Sequence, residues 1–377
     1  MKNKVIKLGF IGGGINSAVG MSHRIASQMD GLYKVTSGCF SQNREVNLET
    51  AEQWNIKKEH LYNTPESLFE NEKNNIDIIV ILTPTPSHFE LVTRAIESGY
   101  AVICEKSLAT STKEINLLNK TVEKNNAFLM VTYNYTGYPM LRELQKIIKK
   151  GTLGNISQIH IEMPQEGFAR LDKNANPMKP QEWRLHDNKV TTISLDLGIH
   201  LVHMIKFLSE KDPIEVVSTQ ASFGQFSDII DNIMCIARYT DNLLCQIWYS
   251  KTALGESNGL KVRVYGTKGS AQWYQMDSEH LIINNQFGEK NIMTRASCSA
   301  NESTKEHYNR FKAGHPAGFL EAFANHYQDL ANAYWEHKQK QTISSPWVFS
   351  SKTAAEGLSM LEAIAISSEK HRWQKIQ

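Results

Sequence analysis

The sequence predicts an α/β chain in two parts. The first is a parallel sheet with helices on both faces over residues 1–133, and the second is an α+β part over 134–377 built on a large antiparallel sheet. Three observations predict this. From Val5 to Thr132 apolar runs alternate with helical periods across short connections, the pattern of a doubly wound sheet. From Ile214 strand patterns follow one another across short turns, which fits antiparallel pairing. The chain has 377 residues, 41% hydrophobic and 21% charged, an ordinary globular composition long enough for two domains.

The opening stretch V-I-K-L-G-F-I-G-G-G-I-N-S runs from Val5 to Ser17. An apolar strand pattern ends in Gly12, Gly13 and Gly14, and a helical pattern over Ile15–Met29 follows. Glycine allows a backbone turn at positive φ and removes the Cβ that would keep a ligand away. The amide groups of a helix N-terminus then suit an anion such as a pyrophosphate. The spacing G-x-G-x-x-G reads as Gly12, Gly14 and Ser17, serine being small enough for close helix–strand packing at the third position. A plain glycine turn before a helix would show the same letters.

The alternation continues in order. Tyr33–Phe40 reads as a strand, Asn47–Trp54 as a helix, and Pro65–Glu70 as a helix start with Thr64 as its cap. Ile76–Leu82 is continuously apolar, as in a strand buried on both faces. Ser87–Ser98 has a helical period and stops at Gly99. Tyr100–Cys104 and Phe128–Thr132 repeat the strand signal around a helix over Thr112–Lys124. Right-handed crossovers place the carboxyl ends of all these strands along one edge, where ligands bind.

That edge carries the candidate residues. The second strand runs into S-Q-N-R, Ser41 to Arg44, where a carboxylate for a ribose 2′-hydroxyl is usual. A hydroxyl and a guanidinium suit a 2′-phosphate instead, which leans toward NADP over NAD. Thr83, Pro84, Thr85 and His88 form the T-P-T-P-S-H turn, whose prolines stiffen the backbone where it can pass under a ligand. Glu105 and Lys106 stand together at the mouth of a buried strand. A lysine there can exchange a proton with a substrate hydroxyl, or form a surface pair with its neighbour.

In the second part, Gly137–Lys150 reads as a helix and Asn155–Glu162 as a strand. Residues 163–189 form a long polar stretch, a length that is either functional or disordered; its Phe168, Trp183, Arg184 and prolines favour an ordered lid over a polar ligand. On a helix over Ser194–Leu208, Asp196, His200, His203 and Phe207 share a stripe, and Asp196 with His200 reads as an acid/base pair. Gly198 in its first turn implies close approach by another group. His203 reads as a core histidine, and the ligand pattern for a metal is incomplete. Glu215–Phe223, Asp231–Tyr239, Leu243–Ser250 and Gly259–Tyr265 read as strands of a sheet with one open face, expected to join subunits into a homo-oligomer. Arg310–Pro316 leads into a helix over Phe319–Glu336, and a final helix over Thr353–Ser367 is expected to pack back on the first domain.

Net charge is +2, which offers no electrostatic case for nucleic acid or an acidic membrane surface. Five scattered cysteines without a C-x-x-C read as reduced thiols of a cytoplasmic protein. The amino terminus enters a strand without a signal-peptide core, and no 18-residue apolar run appears.

Taken together, G-G-G-I-N-S at 12–17, T-P-T-P-S-H at 83–88, E-K-S at 105–107, N-Y-T-G-Y-P at 134–139 and D-L-G-I-H at 196–200 resemble the glucose–fructose oxidoreductase / inositol dehydrogenase / rhizopine catabolism protein family. The resemblance implies a Rossmann domain and an α+β domain with an open-faced sheet that forms dimers or tetramers. It implies an NAD(P)-dependent oxidoreductase moving a hydride to or from a secondary alcohol of a sugar, cyclitol or sugar nucleotide. Lys106, Asp196 and His200 would be catalytic. Gly12, Gly14, Ile15, Asn16, Ser17, Ser41, Arg44, Thr83, Pro84, Thr85, His88, Glu105 and Lys106 would meet the cofactor. Asn134, Trp183, Arg184 and His200 would meet the substrate. Two departures stand out: Ser107 replaces the usual proline, leaving the peptide after Lys106 either trans with a displaced lysine or cis, and Thr136 replaces a frequent arginine. Two rival readings remain, a dinucleotide-binding sensor without catalysis and an NAD-dependent glycoside hydrolase with no net redox change.

Overall fold

The computed structural model describes residues 4–340 and 342–377. They divide into two compact units: residues 4–137 with the described part of 319–355, and residues 138–318 with 356–377.

In the first unit β1 (Ile6–Gly12), α1 (Gly20–Gln28), β2 (Tyr33–Cys39), α2 (Arg44–Gln53), α3 (Pro65–Asn71), β3 (Ile78–Leu82), α4 (His88–Glu97), β4 (Ala101–Glu105), α5 (Thr112–Asn125) and β5 (Leu129–Thr132) follow one another. Local chemistry sets the helix ends. Thr64 Oγ1 accepts the Ser67 amide ahead of Pro65, and Ser111 Oγ accepts the Glu114 amide while Glu114 reaches back to the Thr110 amide at 2.8 Å. Each such cap is worth about 1 kcal/mol. The run I-I-V-I-L of β3 is buried along its whole length, as a central strand must be.

The second unit opens with α6 (Pro139–Lys149), β6 (Ile156–Pro164), α7 (Ile199–Ser209) and β7 (Pro213–Ala221). It continues with β8 (Asn232–Tyr239), β9 (Leu244–Ser250), β10 (Lys261–Gly266), β11 (Gly269–Tyr274), β12 (Asp277–Asn285) and β13 (Lys290–Met293). The chain then returns to the first unit with α8 (Phe319–Lys340) and β14 (Phe349–Ser350). It ends with α9 (Ser351–Lys370), inside which the division between units falls, and β15 (Gln374–Lys375).

Among the described residues the first sheet has the order β14-β5-β4-β3-β1-β2. Strands β1 to β5 are parallel and β14 pairs antiparallel with β5. The carboxyl ends of β1, β3, β4 and β5 therefore lie side by side on one edge. Helix α8 supplies Phe323, Tyr327, Leu330 and Tyr334 to the core formed by these strands, each large apolar side chain contributing roughly 1.5–3 kcal/mol. The expected division stands at 133/134; residues 134–137 and 319–355 also cluster with the first unit, where α8 and β14 complete its core and its sheet edge.

The second sheet has the order β13-β12-β11-β10-β6-β9-β8-β7-β15. It is antiparallel except for β6 beside β9, which are parallel. Along β8 burial alternates: Ile233, Cys235 and Ala237 face inward, while Met234 and Ile236 are about half exposed at 50% and 46%. With Leu244 and Trp248 they line a shallow depression of about 670 Å³ on the uncovered face.

Candidate active site: a cofactor edge and a buried carboxylate

The first unit gathers its functional residues at the carboxyl edge of the sheet. Gly12 and Gly13 turn the chain at φ 75° and 76°, a region that side-chain-bearing residues avoid. A Cβ on Gly13 would lie 2.5 Å from Leu82 Cδ1, and one on Gly12 would lie 2.9 Å from Thr83 Cγ2. The backbone thus forms a cradle that only glycine permits, which fits close approach by a pyrophosphate.

The turn is longer than the helical period suggested. Helix α1 starts at Gly20, not at Ile15. The Gly14 amide donates to Phe40 O at 3.1 Å and the Ile15 amide to Thr50 Oγ1 at 3.1 Å, so residues 14–19 bend away before the helix begins. Ser17 does not fill the packing position. Its Oγ accepts from the Val19 and Gly20 amides at 3.4 and 3.3 Å. Close packing falls to Gly20, where a Cβ would lie 1.8 Å from Gly13 O. Asn16 is exposed on the turn.

At the end of β2, Ser41 Oγ accepts the Asn43 amide at 3.1 Å, and Asn43 caps α2 through the Glu45 and Val46 amides. Arg44 is the exposed first residue of that helix. At the end of β3, Thr83 and Pro84 are tied to Ser87, whose Oγ donates to Thr83 Oγ1 at 2.7 Å, and Thr85 is buried.

Two residues expected to meet the cofactor are held by the chain's own groups. His88 is buried, with Nδ1 2.7 Å from Ser107 O and Nε2 2.7 Å from Thr83 O. Burial pushes its pKa down, against the pull of those two carbonyls and of Glu105. Glu105 is also buried; its Oε1 meets His23 Nε2 at 2.9 Å and accepts from Thr132 Oγ1. Burial alone would raise the Glu105 pKa, but His23, Lys106 and Thr132 hold it at about 2. His23 Nδ1 in turn meets Tyr327 OH at 2.6 Å. Lys106 is half-buried next to this carboxylate, and the Lys106–Ser107 peptide is cis. Asn134 is buried just past the end of β5, on the same sheet edge as Lys106.

In the second unit Ser194–Gly198 forms a π-helical turn leading into α7. The wider turn corrects the stripe read from a 3.6-residue period, which holds only from Ile199 onward. The close approach at Gly198 is made by Tyr249, whose Cζ would be 2.8 Å from an added Cβ.

Asp196 and His200 are both buried. Asp196 Oδ2 accepts from Lys251 Nζ at 2.7 Å and from Arg184 Nε at 3.2 Å, and Oδ1 accepts from Arg184 Nη2 at 3.2 Å. The Arg184 guanidinium stacks over Trp183 at 4.3 Å and donates to Gln181 Oε1 at 2.5 Å. Three charge-assisted bonds from two cations fix the orientation of this buried carboxylate. The polar stretch before α7 is thereby ordered, pinned by Arg184 at one end and at the other by Phe168, whose amide donates to Lys251 O at 2.8 Å. Lys251 escaped the sequence reading, although its signal matches that of Lys106: a cation directly after the apolar strand L-C-Q-I-W-Y-S.

Among the described residues no group of three or more His, Cys, Asp or Glu is arranged to hold a metal ion, and no helix is long and apolar enough to cross a membrane.

Comparison with known proteins gives the family. Residues 6–133 match the model of the oxidoreductase family with an NAD-binding Rossmann fold, and residues 141–272 match the GFO/IDH/MocA C-terminal domain. The uncharacterized oxidoreductase YfiI of Bacillus subtilis is 27% identical over 346 residues, 88% of this chain and 86% of its own. The inositol 2-dehydrogenase of Rhizobium meliloti is 26% identical over 201 residues, 52% of this chain and 56% of its own. An oxidoreductase structure from Sinorhizobium meliloti superposes with a TM-score of 0.86 at 28% identity, covering 98% of this chain and 99% of that one. The inositol dehydrogenase homolog of Azotobacter vinelandii, solved with NADH and myo-inositol, shares the fold with a TM-score of 0.89 at 24% identity, covering 99% and 98%. A glycine cradle at the head of a parallel sheet and matches across both halves lead to one conclusion: the chain belongs to the GFO/IDH/MocA family of NAD-binding oxidoreductases.

Proposed function

We propose that this chain catalyses reversible oxidation of a secondary alcohol on a sugar, cyclitol or sugar nucleotide. The carrying observation is that the glycine cradle after β1, Thr83 after β3 and Lys106 after β4 stand on adjacent parallel strands. Lys106 thus stands at the same sheet edge as the glycine cradle.

When bound, NAD(P) supplies a hydride acceptor or donor at nicotinamide C4. Residues 12–17 and 83–85 would hold it, and Arg44 would favour a 2′-phosphate. Lys106 donates to the substrate oxygen and lowers the cost of its deprotonation, and His200 receives or returns the hydroxyl proton. Asp196, fixed by Lys251 and Arg184, stabilises positive charge that appears in its unit during that transfer. Trp183, Arg184 and Asn134 would contact the substrate's other hydroxyls. The named activities of the levoglucosan and inositol dehydrogenases support this substrate class. The open face of the second sheet would take a second copy of the chain.

The test is turnover of a cyclitol and pyranose panel with NAD and NADP by the wild-type chain, Lys106→Ala and His200→Ala. Each substitution should lower kcat by roughly 10²-fold or more. Turnover near wild type in both variants would remove the assigned roles.

A further inference from the structure

We propose that His23 and His88, buried imidazoles carried by different helices of the first unit, are positioning residues for Lys106. They hold the backbone on its two sides through Glu105 and the Ser107 carbonyl. This rests on the role proposed above for Lys106.

His23 comes from α1 and is fully buried. Its Nε2 faces a carboxylate oxygen of Glu105, which only accepts, so that nitrogen carries the hydrogen. Its Nδ1 faces Tyr327 OH, and Tyr327 is itself fixed, since its carbonyl accepts from Tyr33 OH at 2.9 Å. The chain Tyr33–Tyr327–His23–Glu105 therefore links the residue before Lys106 to the core beneath β1 and β2. Thr132 on β5 grips the same carboxylate from the other side.

His88 comes from α4 and holds the residue after Lys106. Both ring nitrogens face carbonyl oxygens, Ser107 O and Thr83 O, at 2.7 Å. A carbonyl accepts only, a neutral imidazole carries one N–H and an imidazolium carries two. In either state His88 holds at least one of these loops, and when protonated it joins both. Glu105 and Lys106 are the charged groups acting on it. One helix thus ties the turn after β3, on the cofactor edge, to the segment that presents the lysine.

Lys106 has a long flexible stem, so where its Nζ sits depends on how firmly its backbone is held. A displacement of about 1 Å at such a group costs on the order of 10²-fold in rate. Neither histidine needs to touch substrate or cofactor to matter at that level.

The experiment uses the full chain and needs no substrate at first. Lysines are reductively methylated with formaldehyde and cyanoborohydride in wild type, His23→Gln, His88→Gln and Glu105→Gln, and the rate at Lys106 is followed by peptide mass spectrometry. Exposed Lys34 and Lys57 serve as internal references. Loss of either tie should speed Lys106 methylation by about threefold or more with the references unchanged, and unchanged Lys106 rates overturn the inference. Should His23→Gln not fold, Glu105→Gln and His88→Gln carry the comparison.

The second readout is a double-mutant cycle in kcat. His88→Gln should cost about tenfold in the wild-type background and less than about twofold with Lys106→Met present. Equal losses in both backgrounds overturn the inference. Lys106→Met turning over like wild type would instead remove the proposed function, leaving the methylation result to decide the positioning role alone.

Discussion

Gly20→Ala puts the reading of the glycine turn under the most direct strain. The added Cβ would sit 1.8 Å from the Gly13 carbonyl oxygen and 2.8 Å from Gly13 Cα. Both are backbone atoms, so no side chain can rotate away. Contacts of this kind are not tolerated below 3.0 Å, so α1 and the turn must separate by roughly 1 Å, a kind of overpacking that costs about 1–3 kcal/mol. The larger effect is on the ligand. A shift of that size moves the amides of the turn out of hydrogen-bond range of a phosphate, and each charge-assisted bond lost removes about 1.5–3 kcal/mol. NADH affinity should therefore fall by at least about tenfold, read by fluorescence titration. The melting temperature should fall by only a few degrees. A dissociation constant within twofold of wild type would refute the idea that Gly20, rather than Ser17, is the close-packing glycine of the cradle.

Three further outcomes follow from the same geometry. His23→Leu leaves Glu105 buried without its main partner and should cost about 3–5 kcal/mol in denaturant unfolding at pH 7. Because Glu105 is held at about 2, below its ordinary 4.5, its share of stability is present above pH 4.5 and is lost as pH falls toward 2. The gap between wild type and His23→Leu should narrow over that window, and a constant gap would contradict the assignment. Lys251→Met removes the shorter of the two cationic contacts on Asp196 and should destabilise by about 1–3 kcal/mol, with Lys251→Arg recovering most of it; equal loss in both variants would show that the charge is immaterial. Ile236→Glu, at an exposed apolar position of the open sheet face, should reduce the mass seen by sedimentation without lowering the melting temperature, and an unchanged assembly would rule out that face as a subunit contact.

How legible these features were in the sequence depended on how local their causes are. The strands of the first unit were readable because runs such as I-I-V-I-L leave one packing solution, and the cap at Thr64 sits within three residues of what it bonds. Lys106 was readable as a cation at the mouth of a buried strand. The start of α1 was not, because the bend over residues 14–19 is set by Phe40 and Thr50, which are distant in sequence. The inward roles of Glu105 and His88 were hidden for the same reason, as their partners lie 82 and 19 residues away. Helix α8 follows the strands it covers by nearly the whole second unit, and nothing in its own period says which sheet it joins. The π-helical turn at Asp196 was not legible because a 3.6-residue period does not describe Ser194–Gly198. Lys251 carries the same local signal as Lys106, a cation directly after an apolar strand.

The account stands on hydride transfer between a carbinol carbon and a nicotinamide. The measurement closest to that claim follows a deuteron: the wild-type chain is incubated with NAD or NADP and a panel of cyclitols and pyranoses deuterated at their carbinol carbons. Reduced cofactor is then collected and analysed by mass spectrometry and NMR. The account predicts reduced cofactor carrying one deuteron at C4 with at least one member of the panel, formed at roughly a hundredth of that rate or less with Lys106→Ala. Reduced cofactor without the label, or saturable cofactor binding with no reduction by any member, would contradict it.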